Sequence, residues 1–199
     1  MREAGNAGPG GVRDGVPGGG SEPVRDGKYA RVERERRFLM TGLPSVAALT
    51  ARRRITDRYL PGTRLRLRRV DWADSSRPGP EFKFTQKVAA GRPGHVRGLI
   101  TNTYLSGAEY ALLAALPADV LCKTRFSMPP LAVDVFEPPL HGLVLAEAEF
   151  STDEAADSFP MPDTAVAEVT DDARFAGGSL VRADRGDLLA WLEEYGIRI

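Results

Sequence analysis

The sequence predicts a β-dominated α+β fold, and three observations carry that expectation. Charged residues alternate with apolar or β-branched ones in short runs, which is the period of a strand. No long crossover helix separates the early runs, so antiparallel pairing fits them better than βαβ units. Carboxylates and cations both recur on the alternating faces. That admits two arrangements: an open sheet with one wet charged face, or a closed barrel whose charged faces line a polar lumen and whose apolar faces pack outward against helices.

The elements follow in order. Residues 1–27 hold nine of the 21 glycines, three prolines and almost no bulky apolar side chain. Such a composition does not offset the entropy of ordering, so a disordered tail is expected there and a folded domain over 28–199. The run Val32-Glu33-Arg34-Glu35-Arg36-Arg37-Phe38-Leu39-Met40 reads as a strand with Glu33, Glu35 and Arg37 on one face and Arg34, Arg36 and Phe38 on the other. A short helix is expected over 44–53, then a strand over 55–60, a Pro61-Gly62 turn and an arginine strand over 64–68. A loop over 71–80, rich in Asp, Ser, Gly and Pro, leads to a strand with Lys83, Thr85 and Lys87 opposite Phe82 and Phe84. After a turn at 89–94 comes a strand over 96–104. Ser106 is the expected cap of a helix over 107–116 with a stripe of Tyr110, Leu113 and Leu116. Strands over 121–126, 132–136 and 144–150 follow, then a helix over 152–159 capped by Ser151. A terminal helix over 185–195 should pack through Leu188, Leu189, Trp191 and Leu192.

Composition narrows the function. Lys and Arg number 27 against 27 Asp and Glu, which argues against a basic nucleic-acid binder or an acidic tail protein. Cys122 is the single cysteine, so an intrachain disulfide and a cysteine zinc cluster are excluded; it reads as a buried structural thiol. His95 and His141 are too far apart in sequence to suggest zinc. No apolar run resembles a signal peptide or membrane span, and a cytoplasmic protein is expected.

The inward candidates are the acids Glu33, Glu35, Asp134, Glu147 and Glu149 and the bases Arg37, Lys83, Lys87, Arg97, Lys123 and Arg125, with Arg64, Arg66 or Arg68. So many charges are tolerable only in a wet lumen that binds ions. Carboxylates on separate strands suit Mg²⁺ or Mn²⁺; arginine forks and lysines suit phosphate oxygens. A polyphosphate held as its metal complex fits both.

The run from Glu33 to Leu39 resembles the ExExK signature of the CYTH, or triphosphate tunnel metalloenzyme, family. The resemblance extends over most of 31–182: Tyr59-Leu60, the Arg64–Arg68 strand, Thr85-Gln86-Lys87, KTRF at 123–126, VDVF at 133–136, LAEAEF at 145–150 and EVTDDARF at 168–175. It implies an eight-stranded antiparallel barrel whose tunnel takes a small-molecule triphosphate, with no nucleic acid or membrane as partner; homodimer formation stays open. It also implies Glu33, Glu35 and Glu149 as metal ligands with Glu147 and Asp134 nearby, and Arg37, Arg66, Arg68, Lys87, Arg97 and Arg125 as phosphate ligands. Tyr59 and Lys123 match a pair that activates the attacking water. The plainer alternatives are a packing aromatic for Tyr59 and an Arg125–Asp134 ion pair.

Two departures stand out. Position 37 is Arg where the signature has Lys, which keeps the charge but not the titratable head group. The strand over 97–103 has no carboxylate, whereas many relatives carry one or two there. Hydrolysis of a triphosphate, inorganic tripolyphosphate first, is therefore the leading expectation. A non-catalytic polyphosphate or nucleotide binder is the alternative, and adenylate cyclase or thiamine triphosphatase activity ranks below it.

Overall fold

The computed structural model describes residues 28–43, 45, 49–73, 79–91 and 93–199. Its strands are β1 (Arg31–Met40), β2 (Ala51–Tyr59), β3 (Leu65–Trp72), β4 (Glu81–Ala89), β5 (Val96–Leu105), β6 (Asp119–Met128), β7 (Leu131–Phe136), β8 (Val144–Glu149) and β9 (Ala165–Glu168). Helices α1 (Gly107–Leu113), α2 (Asp153–Ser158), α3 (Gly177–Leu180) and α4 (Arg185–Glu194) join them, with a 3₁₀ turn at Ala173–Phe175.

The strands pair antiparallel in the order β5-β4-β3-β2-β6-β7-β8-β1, and β1 turns back onto β5 to close an eight-stranded barrel. The fold class expected from alternation is the one found. The ninth strand, β9, lies against the last third of β1, from Phe38↔Glu168 to Met40↔Ala165. β1 can serve three partners because β8 takes one of its edges while β5 and then β9 share the other, β5 along its first residues and β9 along its last. The closing seam carries a register shift between Glu33 and Arg34, with Glu33 opposite Gly98. Gly98 has φ +135°, and a β-carbon there would lie 1.9 Å from the Val88 carbonyl oxygen, so the seam tolerates only glycine.

Burial follows the alternation with one addition. Outward residues of β1, β7 and β8 (Phe38, Val133, Ala146 and Ala148) form a core packed against Phe150 and Phe159, each large side chain worth about 1.5–3 kcal/mol on burial. The addition is inside. Leu39, Leu121, Phe136 and Leu145 make one end of the lumen apolar, and Phe175, Leu180, Leu188 and Leu192 close over it. The barrel is thus charged along part of its length and stoppered at one end, not polar throughout.

Several expectations are corrected. Ala51–Arg53 belong to β2, since pairing with both β3 and β6 overrides any local helical tendency; 44 and 46–48 lie outside the described residues, as do 74–78 and the tail 1–27. α1 stops at Leu113, and its stripe is weak: Tyr110 stacks on Phe82 at 4.3 Å, whereas Leu116 is exposed. The cap of α2 is Thr152, not Ser151, because Thr152 Oγ1 accepts from the Ala155 N–H at 3.2 Å. In α4, Leu188 and Leu192 are buried but Leu189 faces solvent. Cys122 is only half-buried on the outer face, opposite Thr56. Ser106 caps α1 as expected, in a reciprocal box with Glu109. Among the described residues no helix is long and apolar enough to cross a membrane.

Candidate active site

Inward residues from every wall of the barrel surround a cavity of about 600 Å³. Ten Lys and Arg side chains line it against four glutamates, Glu33, Glu35, Glu147 and Glu149. Of the sequence-assigned residues, Tyr59, Lys123, Arg37, Arg66, Arg68, Lys87, Arg97 and Arg125 all contribute to this lining. Of Arg64, Arg66 and Arg68, the cavity takes in Arg66 and Arg68, whereas Arg64 precedes β3 and is exposed. Asp134 does not line the cavity. It is fully buried on the inward face, covered by Arg125 and Lys123, and belongs to the scaffold of the site.

The electrostatics are organised by cross-strand rungs. Arg125 and Asp134 are register partners across β6 and β7, and the guanidinium grips the carboxylate through Nε and Nη2 at 2.6 Å each. Lys123, one rung away on the same face, donates to Asp134 Oδ2 at 2.5 Å. The same pattern recurs on the adjoining wall, where β2 pairs with β6. Asp57 faces Arg68 across β2 and β3, takes its Nε and Nη2 at 2.6 and 2.7 Å, and has Arg66 Nε at 3.5 Å. Arg37 faces Glu147 across β1 and β8, donates to it at 3.1 Å, reaches Glu35 as well, and donates through Nη1 to the Phe175 carbonyl at 3.1 Å. Arg125 also contacts Glu147. One ladder of alternating sign therefore runs from Glu35 through Arg37, Glu147, Arg125 and Asp134 to Lys123.

A fourth rung breaks the pattern. Glu35 faces Glu149 directly across β1 and β8, and like charges directly opposite oppose pairing unless a cation sits with them. Glu33 lies on the same face and accepts from Lys87 Nζ at 2.6 Å. Hard oxygen donors on one wall suit a divalent cation. However, no three His, Cys, Asp or Glu side chains among the described residues are grouped so as to hold a metal ion, and Arg37 and Lys87 contact oxygens of Glu35 and Glu33.

These surroundings shift proton affinities. Burial pulls the Lys123 ammonium below the usual lysine range, with Arg125 and Arg68 adding to the effect and Asp134 and Glu147 opposing it. Burial, then Asp57, pushes the Tyr59 hydroxyl up, against Arg66 and Arg68. Burial and the neighbouring Glu147 raise Glu35. Glu147 also suffers burial, but Arg125, Lys123 and Arg37 outweigh it and hold this carboxyl well below the ordinary range.

Two residues and one four-residue segment were not assigned to the site from the sequence. Asp57, which organises the basic wall, is 1 % exposed; it shares the alternate face of Tyr59, and that spacing was its only signal. Asn102 accepts from Thr85 Oγ1 at 2.8 Å, where carboxylates were looked for. Phe175, Ala176, Gly177 and Gly178 complete the lining at the closed end, in elements too short to show a period. Two assigned residues are turned partly aside: Arg97 reaches Asp171 at 3.2 Å, and Lys123 is tied to Asp134, not to Tyr59.

No family model and no curated protein matches the chain. Solved structures do. One, described as the hypothetical protein NE1496, aligns with a TM-score of 0.50 and 26% identity over 76% of this chain and 99% of that one. Another, described as the inorganic triphosphatase NE1496, aligns with a TM-score of 0.50 and 24% identity over 77% of this chain and 96% of that one.

Proposed function

We propose that this chain, which has the triphosphate tunnel fold, hydrolyses the terminal phosphate of a small-molecule triphosphate, inorganic tripolyphosphate foremost. What carries the reading is the lining: ten cationic side chains face four glutamates around one cavity, and even after Asp57, Asp134, Asp153 and Asp171 are paired off the cations remain in excess, which a polyanion neutralises. The similarity to a structure described as an inorganic triphosphatase agrees with it.

Arg66, Arg68, Lys87 and Arg125 bind the phosphate oxygens in this scheme. Arg66 is the readiest of them, because its buried Nε makes no hydrogen bond among the described residues and gains one from a phosphate. Arg37, enclosed by two carboxylates and a carbonyl, braces Glu35 and Glu147 more than it contacts substrate. Water attacks the terminal phosphorus, the bridging P–O bond breaks, and pyrophosphate leaves. Lys123 takes the water proton on Nζ: burial favours its neutral form, and Asp134 orients the amine by accepting one of its N–H bonds. Tyr59 keeps its proton, given the direction of its shift, and so orients the water or a phosphate oxygen through Oη without acting as a base. Positioning and charge neutralisation supply most of the acceleration in such transfers.

Mg²⁺ or Mn²⁺ would be held by Glu33, Glu35 and Glu149, once an incoming polyanion draws Lys87 away from Glu33, while Arg37 goes on bracing Glu35. When bound it neutralises charge on the phosphate oxygens. The same-sign Glu35–Glu149 rung supports this assignment. β5, which carries no carboxylate, and the lack of a gathered three-ligand cluster among the described residues favour a second reading, a polyphosphate or nucleotide binder without turnover.

The deciding experiment is phosphate release from tripolyphosphate, ATP and thiamine triphosphate with Mg²⁺ or Mn²⁺, with Lys123→Ala as the control. Release from tripolyphosphate, lowered about 10²-fold or more by Lys123→Ala, is expected. Tight triphosphate binding with no release from any substrate would leave the binder; cyclic AMP from ATP would redirect the reading to cyclisation.

A further inference from the structure

The segment after β9 crosses the closed end of the barrel and is held from several sides. Phe175 is fully buried against Trp191 and Tyr195, at ring separations of 6.2 and 5.9 Å. Its carbonyl accepts from Arg37 at 3.1 Å. Leu180 closes the same cluster at 2 % exposure. Between these anchors lies Gly177, and Tyr59 comes up against it from β2.

A β-carbon on Gly177 would stand 2.1 Å from Tyr59 Oη and 3.2 Å from Cζ. The two distances differ in kind. The ring carbon would be a few tenths of an ångström too near, whereas the hydroxyl oxygen would occupy the same space. Backbone conformation does not call for glycine here, since Gly177 is not among the glycines with positive φ. Its neighbour Gly178 has nothing within 4 Å of the corresponding point. What this position requires is room for one oxygen atom.

We propose that Gly177 is a positioning residue for the Tyr59 hydroxyl: the missing β-carbon lets Oη sit against the start of α3 while the ring faces the tunnel. This rests on the reading of Tyr59 as part of the hydrolytic site. Gly177 acts through Tyr59, so its effect should vanish when the hydroxyl is gone.

The test is a double-mutant cycle with Gly177→Ala, Tyr59→Phe and the pair together, read by thermal unfolding and by phosphate release from tripolyphosphate. Gly177→Ala alone should lower Tm by about 5 °C, the cost of overpacking, and by less than about 2 °C when Tyr59 is already Phe. In the assay, Gly177→Ala should lower kcat about tenfold or more with KM little changed, and the pair should be no slower than Tyr59→Phe. Equal Tm losses in both backgrounds, or a wild-type kcat for Gly177→Ala, would overturn the proposal. Should Gly177→Ala fail to fold, folding of the pair supports the coupling and failure of both overturns it. If the wild type releases no phosphate, the hydrolase reading falls, and the unfolding cycle still decides the positioning role.

Discussion

Two kinds of carboxylate line or back the same barrel, and they behave differently. Asp57 and Asp134 are 1 % and 0 % exposed. Each faces an arginine directly across the sheet and draws in a second cation from one rung away. Glu35 and Glu149 face each other, and Glu149 is open to solvent. The short acids lie at the base of the inward face and fix cations there; the longer ones reach further into the lumen, and although Arg37 contacts Glu35, the Glu35–Glu149 rung itself pairs two acids. Sheet pairing alone opposes such a rung, and a cation taken with the substrate, as proposed, would relieve it.

The sharpest way to break this contrast is Asp134→Ala. It strands Lys123 and Arg125 in a buried wall, and removing one partner of a buried ion pair costs about 3–5 kcal/mol. Denaturant unfolding is expected to show a loss of that size, against a change near zero for Glu149→Ala. A loss under about 1 kcal/mol for Asp134→Ala would mean that water reaches Lys123 and Arg125, and the division into fixed and exchangeable acids would fail.

A smaller effect separates the two kinds by pH. Burial works against ionisation of Asp57, but Arg68 and Arg66 outweigh it and hold its carboxyl far below the ordinary value near 3.8. For a group depressed in the folded state, the contribution to stability is complete above the unfolded value and is lost as pH falls towards the folded one. Stability should therefore decline below about pH 4, by up to about 1.4 kcal/mol per pH unit from this one proton. Asp57→Asn should flatten that slope without abolishing it, because Glu147 is shifted in the same direction. Unfolding midpoints between pH 2 and 5 check it, and equal slopes in the two proteins would count against the Asp57 assignment.

The lining was largely legible in the sequence because strand alternation is a strict period: Glu33, Glu35 and Arg37 on one strand, Lys123 and Arg125 on another, Glu147 and Glu149 on a third. Register was not legible. That Asp57 meets Arg68, or that Glu35 meets Glu149, depends on how two strands slide past each other, and residue types do not record that; the Arg125–Asp134 ion pair, which the structure shows, stood only as an alternative. Short elements were equally silent. β9 and α3 have four residues each, less than any periodic pattern needs, and Ala51–Arg53 took a strand conformation from its two neighbours against its local reading. The site was therefore read as a set of residues, while the arrangement that ties Lys123 to Asp134 and packs Gly177 against Tyr59 had to come from the fold.

The smallest effect bears on the rung itself. Glu149→Gln removes the like-charge opposition with Glu35 and deletes nothing that is buried, so the metal-free protein should be unchanged or slightly more stable, by no more than about 2 °C in Tm. Function should move the other way. With one anionic oxygen donor gone, the Mg²⁺ concentration giving half-maximal tripolyphosphate hydrolysis should rise about tenfold, while tripolyphosphate binding without metal holds or tightens because a repulsive charge has left the cavity. Titrations with and without Mg²⁺ separate these outcomes. A variant that lost stability without any change in its metal requirement would place Glu149 with Asp57 and Asp134 as a structural acid. Gain in stability coupled to loss of metal response is what a rung kept open for a cation should produce, since removing a functional like-charge pair relieves the strain that the function requires.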